Sequence, residues 1–253
     1  MLYHRLIVCL DVAGGRVVKG VGFGSLRDIG DPVPLATHYE REGADEIVYL
    51  DINASAEERD TLVDLVRRTA EELFIPLTVG GGVRTVQDMR RILMAGADKV
   101  TVNSAAVARP ELLAEAADRF GAQCVVASID VRREGDSWRV YTHGGRTRTE
   151  LDALDWAAEC ASRGAGEILL TSIDRDGTRS GYDTELTRAV AARVCVPVIA
   201  SGGAGSEDDV VHVLREGNAD AALVAGLLHD GVTTVKALKQ RMADKSVRVR
   251  AVA

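Results

Sequence analysis

The stretch Leu77-Thr-Val-Gly-Gly-Gly-Val-Arg84 has a second version in the chain, Val198-Ile-Ala-Ser-Gly-Gly-Ala-Gly205. Each is a short apolar run that ends in consecutive glycines and precedes an amphipathic helical pattern. Glycines at a strand end let the backbone approach a ligand closely, and the N–H groups at the following helix start suit a phosphate. Two such turns with matching neighbours predict a duplicated fold that holds a ligand with a phosphate at each end.

Short apolar runs alternate with helical patterns along all 253 residues. Eight strand–helix units in this length predict an α/β fold, a single (β/α)8 TIM-barrel domain over residues 1–253. The predicted strands are Leu6–Leu10, Glu46–Leu50, Leu77–Val79, Lys99–Val102, Cys124–Ile129, Glu167–Thr171, Val198–Ala200 and Ala221–Val224.

An internal repeat supports closure into a barrel. Glu46 and Glu167 lie 121 positions apart in similar segments, and Gly82 and Gly203 lie 121 apart as well. A repeat of this length predicts two half-barrels of four units each, at about 1–121 and 122–253, whereas a solenoid would have shorter and more numerous repeats.

Composition excludes several classes of function. A net charge of −7 argues against nucleic acid or an anionic membrane as the main partner. The N-terminal apolar run is too short for a signal peptide or a membrane span, so a cytoplasmic location is expected. The four cysteines form no C-x-x-C pair, and the five histidines show no ligand spacing, so no metal or other cofactor is expected.

Asp11 and Asp130 each end an apolar strand, on the predicted strands one and five, which face each other across an eight-stranded barrel. Two carboxylates so placed can flank a substrate, one giving a proton while the other takes one. Either aspartate alone is more often a helix cap or an Asx-turn. Their equivalence in the repeat favours the catalytic interpretation for the pair.

Barrels often bind phosphate between the loops after strands seven and eight, and duplication would create a second such site after strands three and four. Alternatively, the glycines only make tight turns. Thr171 and Ser201, at the ends of strands six and seven, complete the predicted substrate-binding set. The first predicted site comprises Gly82, Asn103 and Ser104, and the second comprises Asp176, Gly177, Gly203, Ala225 and Gly226.

Two segments interrupt the regular pattern. The stretch 12–31 is a long glycine-rich connection that carries Lys19, and loops of this length often cover a binding site. The stretch 132–148 is predicted to form a small β-hairpin. Both follow strand C-termini, the face where barrel enzymes place their chemistry.

Strand parity predicts a set of charges at the opposite end of the barrel. If Asp11 points inward, so does Arg5, and the same parity turns Lys99 and Glu167 inward. Glu46, the repeat counterpart of Glu167, joins them. Two cations and two anions there form either a structural salt-bridge plug or a gate through which something small and polar crosses the core.

Five motifs recur among these features: Cys-Leu-Asp-Val, Val-Val-Lys-Gly-Val-Gly-Phe, Gly-Gly-Gly-Val-Arg, Asp-Arg-Asp-Gly-Thr and Ala-Ser-Gly-Gly-Ala-Gly. Together they closely resemble the cyclase subunit family of imidazole glycerol phosphate synthase. The resemblance implies a lyase without a cofactor that uses ammonia from a partner glutaminase in a heterodimer. Its implied substrate is the doubly phosphorylated N'-phosphoribulosyl formimino-AICAR phosphate, and its implied products are imidazole glycerol phosphate and AICAR ribonucleotide.

The resemblance also implies roles for individual residues. Asp11 and Asp130 match the acid/base pair, Lys19 matches a loop residue that contacts substrate, and Asp98 matches a docking position for the glutaminase. The phosphate residues match both predicted sites, although Gly226 replaces a common serine. The charged set matches a gate that admits ammonia from a glutaminase on the N-terminal barrel face; it comprises Arg5, Glu46, Lys99 and Glu167.

Two alternatives remain open. The sister isomerase of the same pathway is also a duplicated half-barrel with paired aspartates, but it needs no ammonia and no charged gate. A barrel that only docks a glutaminase would need neither the aspartates nor the phosphate loops.

Overall fold

The computed structural model describes residues 3–21, 25–52 and 58–251. Within these ranges eight parallel strands form a closed barrel, in which each strand pairs with two neighbours. The barrel strands are β1 (Arg5–Ala13), β4 (Glu46–Asp51), β5 (Leu77–Gly80), β6 (Lys99–Val102), β7 (Val125–Glu134), β10 (Glu167–Ser172), β11 (Val198–Ser201) and β12 (Ala221–Val224).

Helices surround this barrel, and the described residues include four further strands, which continue β1 and β7 beyond the barrel as antiparallel additions. The additional strands are β2 (Arg16–Val21), β3 (Ser25–Gly30), β8 (Ser137–Thr142) and β9 (Thr147–Asp152). The helices are α1 (Pro32–Arg41), α2 (Glu58–Glu72), α3 (Val86–Met94), α4 (Ser104–Ala108), α5 (Glu111–Phe120), α6 (Ala153–Ser162), α7 (Thr184–Ala191), α8 (Glu207–Glu216), α9 (Gly226–His229) and α10 (Val235–Asp244).

The predicted TIM barrel is confirmed, and every predicted strand lies at a barrel strand. The prediction was wrong at Cys124, which lies in a 3₁₀ turn, Ala122–Cys124, one residue before β7 begins. Cys124 is apolar and directly precedes an apolar strand, so the sequence pattern does not show where the strand begins. Within the described ranges, no helix has both the length and the apolar content that a membrane span requires.

The connection after the first strand is more regular than predicted. β1 continues to Ala13 and folds back on β2, which pairs with β3, so the predicted loop is mostly a hairpin. Gly14 and Gly15 form its two-residue turn with φ of +56° and +76°, the conformation that a tight hairpin turn with Gly-Gly adopts. The 22–24 segment of the Lys19 connection lies outside the described residues.

The predicted hairpin after the fifth barrel strand is present and larger than expected. β7 runs to Glu134, pairs with β8, and β8 pairs with β9. This three-stranded extension stands at the C-terminal end of the barrel.

Alternating side chains divide the core into two layers. Residues such as Leu6 and Val8 face the helices and belong to the large outer core. Their neighbours on the same strand point into the barrel, as the two-residue period of a strand requires. The inner layer is a small apolar cluster that comprises Ile7, Cys9, Val48, Val126, Leu169, Ile199, Ala221 and Leu223.

Three loops that lead into barrel strands share a reciprocal contact, here called the aspartate clamp. Asp220 donates its N–H to the carbonyl of Val198 on the neighbouring strand, and its carboxylate accepts the N–H of the same residue at 2.9 Å. Asp45 makes the same pair of bonds with Leu6, and Asp98 makes them with Leu77. Each clamp ties the start of one strand to the start of the next.

A fourth copy keeps only half of the clamp. Gly166 donates its N–H to Val125 but has no carboxylate to accept one in return. A Cβ on Gly166 would lie 2.3 Å from the carbonyl oxygen of Ala122. The 3₁₀ turn that begins β7 therefore excludes any side chain at this position.

The clamp predicts a stability difference between two substitutions. Asp220→Ala leaves the buried N–H of Val198 without its acceptor and is expected to lower the free energy of unfolding by about 1–3 kcal/mol. Asp220→Asn retains an acceptor oxygen and should lose less than half of that. Urea unfolding of both variants measures the difference, and equal losses would mean that the charge rather than the hydrogen bond matters.

Candidate active site

Asp11 and Asp130 lie on the inward face of β1 and β7, where each strand leaves the barrel and continues into its antiparallel extension. Asp130 is in register with Thr171 on β10, and Thr171 is in register with Ser201 on β11. Three predicted site residues therefore stand in one row around the barrel mouth, and Asp11 lies on the same rim.

Burial governs the ionisation of both aspartates. Desolvation, reinforced by the nearby charge of Asp176, raises the pKa of Asp11 to about 6 and the pKa of Asp130 to about 6. Desolvation also raises the pKa of Asp176, which follows β10. Asp11 and Asp130 are half-buried and Asp176 is exposed beside them, and their like charges disfavour full ionisation of all three.

Neighbouring groups orient these carboxyls. The Cys9 thiol, one inward position below, donates to Asp11 at 3.7 Å. Asn103 on the adjacent rim hydrogen-bonds Asp130. Within the described chain, the buried Oδ1 of Asn103 and Oγ1 of Thr101 have no hydrogen-bond partner. Thr101 lies inside the barrel, in register with Val126 of the inner layer, whereas Asn103 lies at the mouth, where its free acceptor can receive an N–H or O–H group of a ligand.

Two short helices at the rim have matching starts. Asn103 precedes α4 with φ −125° and ψ −91°, and Ala225 precedes α9 with φ −139° and ψ −79°. Neither residue caps its helix with a side chain, so the first N–H groups of both helices face the rim without such a cap. These are suitable donors to a phosphate oxygen.

Glycines bring the backbone close beside each helix start. Gly81 and Gly82 follow β5 with φ of +95° and +64°, and a Cβ on Gly81 would lie 2.1 Å from the Asp51 carbonyl oxygen. Gly203 follows β11 with φ +105°, and its Cβ would lie 2.3 Å from the Gly181 carbonyl oxygen. The positive φ values and the close backbone contacts are enough to explain why these positions are glycine, even without a ligand. The binding surface comes from the uncapped N–H groups at the two helix starts.

The remaining predicted substrate-binding residues fall into place around these turns. The hydroxyl of Ser104 accepts the N–H of His143 at 2.9 Å, which ties the turn between β8 and β9 to the first site. Gly177 donates its N–H to Asp176. Lys19 lies over the second site: its Nζ would be 3.4 Å from a Cβ built on Gly226, so the two residues are in close contact.

The four predicted gate residues form a closed ring at the N-terminal end of the barrel, here called the charged floor. Arg5 pairs with Glu46 at 2.9 Å and also with Glu167. Lys99 pairs with Glu46 at 2.8 Å and with Glu167 at 2.9 Å. Thr78 donates to Glu46 at 2.5 Å. Each buried carboxylate therefore meets two cations, so no charge of the ring is left unpaired.

Sequence reasoning missed several residues near the mouth. Asp51 is buried at the C-terminal end of β4, and a polar residue at a strand end was the available signal. Arg27, Arg179 and Asp230 meet above the second helix start, far apart in sequence. Their pairing has no local signature. Among the described residues, no group of three or more His, Cys, Asp or Glu side chains could hold a metal ion.

Comparison with known proteins gives a consistent family. Residues 5–234 match the model of the histidine biosynthesis protein family. The chain is 70% identical to the imidazole glycerol phosphate synthase subunit HisF of Myxococcus xanthus over 250 residues, 99% of each chain. It is 55% identical to the subunit of the same name from Dehalococcoides mccartyi, again over 99% of each chain.

The raised pKa values predict how stability depends on pH. An unfolded aspartate has a pKa of about 3.9, so the folded protein binds more protons and loses stability as pH rises from about 4 to about 6. Asp11→Asn and Asp130→Asn remove this penalty. Each variant should exceed the parent protein in stability near pH 7, on the order of 1–3 kcal/mol, and by little near pH 4.

Urea unfolding across this pH range measures the effect. A gain of equal size at both ends of the range would contradict the assignment of raised pKa values to these groups. Asp176→Asn provides a further check, because removing its charge should lower the pKa of both remaining aspartates.

Proposed function

The chain belongs to the HisF family of imidazole glycerol phosphate synthase subunits, and we propose that it is the cyclase of that enzyme, a lyase of histidine biosynthesis. Its substrate is N'-phosphoribulosyl formimino-AICAR phosphate, and its products are imidazole glycerol phosphate and AICAR ribonucleotide. The observation that carries this proposal is the pair of half-buried aspartates at the barrel mouth, each with a pKa of about 6, set between two matched helix starts. Such an enzyme is expected to work in the cytoplasm.

The two helix starts hold the two substrate phosphates. One phosphate binds at Gly82, Asn103 and Ser104, and the other binds at the turns after β10, β11 and β12. Backbone N–H groups and the helix ends supply most of the donors, so a glycine at 226 in place of serine leaves the site functional. Fixing both ends positions the reacting centre between the aspartates. The half-barrel duplication at about 1–121 and 122–253 accounts for the matched pair.

Asp11 and Asp130 transfer the protons. Ammonia adds to the ribulose carbonyl, and one aspartic acid protonates the departing oxygen. The other helps to close the ring and to eliminate the aminoimidazole product. A carboxyl with a pKa near 6 exists in both protonation states close to neutral pH, which suits it to either task.

Ammonia comes from a partner glutaminase that docks on the N-terminal barrel face. The charged floor closes that end of the barrel and stands on the line from this face to Asp11. Tyr3, Phe74 and Met94 are apolar residues exposed on the same face, each with a relative exposure between 65% and 90%. Asp98 is the only exposed aspartate of the three aspartate clamps. Exposed apolar residues and an exposed charge on one face fit a protein interface.

The charged floor also bears on the alternatives. The sister isomerase uses no ammonia and has no need for a ring of four charges at the base of the barrel. A barrel that only docks a glutaminase would have no use for two carboxyls with raised pKa values. Product formation with free ammonium salt separates the cyclase from both.

Asp11→Asn and Asp130→Asn should each lower kcat with free ammonium by at least about 100-fold, because general acid–base catalysis contributes roughly that much. KM should change little, since both phosphate sites remain. Steady-state kinetics with the doubly phosphorylated substrate measures both constants. Asp155→Asn, which alters an exposed ion pair with Arg193, is the matched control. Near-parental kcat in both variants would exclude the proposed roles, and a parent chain inactive with ammonium would exclude the cyclase.

Asp98→Asn tests the docking face, because asparagine keeps an acceptor for Leu77 N–H and removes only the charge. Glutamine-dependent turnover with the glutaminase should fall roughly 10- to 100-fold, which corresponds to the about 1.5–3 kcal/mol that a hydrogen bond to a charged group contributes. Turnover with free ammonium should stay at the parental level. Asp220→Asn makes the same change in the half-buried clamp and should leave both rates unchanged. Equal loss in both assays would mean that Asp98 supports only the fold.

A further inference from the structure

Asp230 collects three cations at the rim of the second phosphate site. Its carboxylate pairs with Lys19, with Arg27 at 2.9 Å and with Arg179. Lys19 and Arg27 belong to the two strands of the hairpin β2–β3, whereas Arg179 belongs to the loop between β10 and α7. One carboxylate therefore joins the hairpin and a distant loop to the end of α9. We call these four residues the rim cluster.

The position of Asp230 is fixed from below. The preceding residue, His229, contacts the Cys9 carbonyl through Nε2 at 2.9 Å and the Tyr39 hydroxyl through Nδ1 at 2.8 Å. Burial lowers the pKa of His229, so the neutral ring donates to the carbonyl and accepts from the tyrosine. Asp230 thus follows a residue bound both to β1 and to α1.

Arg179 is also held in place. Its backbone has φ +57°, a conformation that costs a non-glycine residue energy and is often kept at functional sites. A Cβ on Gly205 would lie 2.0 Å from the Arg179 carbonyl oxygen, so the loop packs directly on the turn after β11. This packing presents the guanidinium to the rim above Gly226.

The charge balance of the rim cluster favours an anion. Three formal positive charges meet one negative charge, next to a helix start whose N–H groups have no side-chain cap. Without the carboxylate, the three cations would repel one another, and the hairpin would lose its described ion pairs to the barrel rim. With the Asp230 carboxylate present, the three cations lie close together, and the cluster keeps a net positive charge. A phosphate dianion satisfies that surplus.

We propose that Asp230 is a positioning residue that docks the Lys19 hairpin on the barrel rim and assembles Lys19, Arg27 and Arg179 into a cationic clamp for the phosphate monoester of the second site. This rests on the proposed function for the identity of the ligand, but the docking of the hairpin does not. Asp230 acts through the three cations and touches no reacting atom. The two cationic side chains beyond Lys19 add to the phosphate contacts already described.

The kinetics of Asp230→Asn test the assembly of the cationic clamp formed by Lys19, Arg27 and Arg179. The substitution keeps the size of the side chain and removes the charge, so KM for the doubly phosphorylated substrate should rise on the order of tenfold. The kcat should change by less than about threefold, because the aspartates are untouched. Asp230→Glu should restore most of the KM. Added salt should raise KM more in the parent than in Asp230→Asn, because screening weakens the assembled clamp.

Amide hydrogen exchange without substrate tests the docking separately. Exchange in residues 16–21 and 25–30 should be faster in Asp230→Asn than in the parent, and Asp230→Glu should slow it again. The control is Asp208→Asn, which breaks a surface pair with Arg241 and should change neither exchange nor KM. Arg179→Gln, which leaves the hairpin sequence intact, should reproduce part of the rise in KM.

The outcomes separate this inference from the proposed function. An active Asp230→Asn with parental KM and parental exchange would overturn the inference. Faster exchange in a chain that never converts the substrate would support the docking and refute only the cyclase. A fall in kcat at constant KM would overturn the positioning role, because it would place Asp230 in the chemical step.

Discussion

The alternation of side chains along eight parallel strands is the constraint on which this molecule depends. In a closed barrel, every second residue points inward, so each strand contributes to a column that runs from floor to mouth. β1 supplies the full sequence of that column, with Arg5 at the charged floor, Ile7 and Cys9 in the apolar layer and Asp11 at the mouth. Moving the register of β1 by one residue would turn Arg5 and Asp11 toward the helices and turn the outer core residues Leu6 and Val8 into the barrel.

The same local contacts recur around the barrel and hold the strands in the register that this column requires. The aspartate clamps align the starts of neighbouring strands, and the helix starts at Asn103 and Ala225 repeat one backbone conformation at the opposite ends. Departures are as informative as repeats. Gly166 replaces a clamp aspartate where the carbonyl of Ala122 occupies the space of a side chain. The chain therefore preserves the repeat wherever space allows it and abandons it where packing does not.

Hydrophobic periodicity and repeat spacing correctly predicted the features that depend on the alternation of side chains along a strand: the barrel strands, the charged floor and the inward direction of the aspartates. They did not predict features that depend on contacts between distant segments or on the conformation of a turn. The Gly14–Gly15 turn carried a hairpin signal that the glycine-rich composition around it concealed. The meeting of Arg27, Arg179 and Asp230 had no local signal, because it depends on how separate loops fold over the rim. The roles of the site residues still depend on the proposed function.

The closed charge balance of the floor has a consequence for how the chain can evolve. Arg5 and Lys99 each form ion pairs with two glutamates, and Glu46 and Glu167 each form ion pairs with two cations. Replacing any one of the four by a neutral residue removes two of the four ion pairs and leaves the ring with one charge in excess, although each remaining member keeps a partner. A second substitution that removes a charge of the opposite sign restores the balance. The barrel base is therefore expected to tolerate a paired change of one cation and one anion better than a change of either alone.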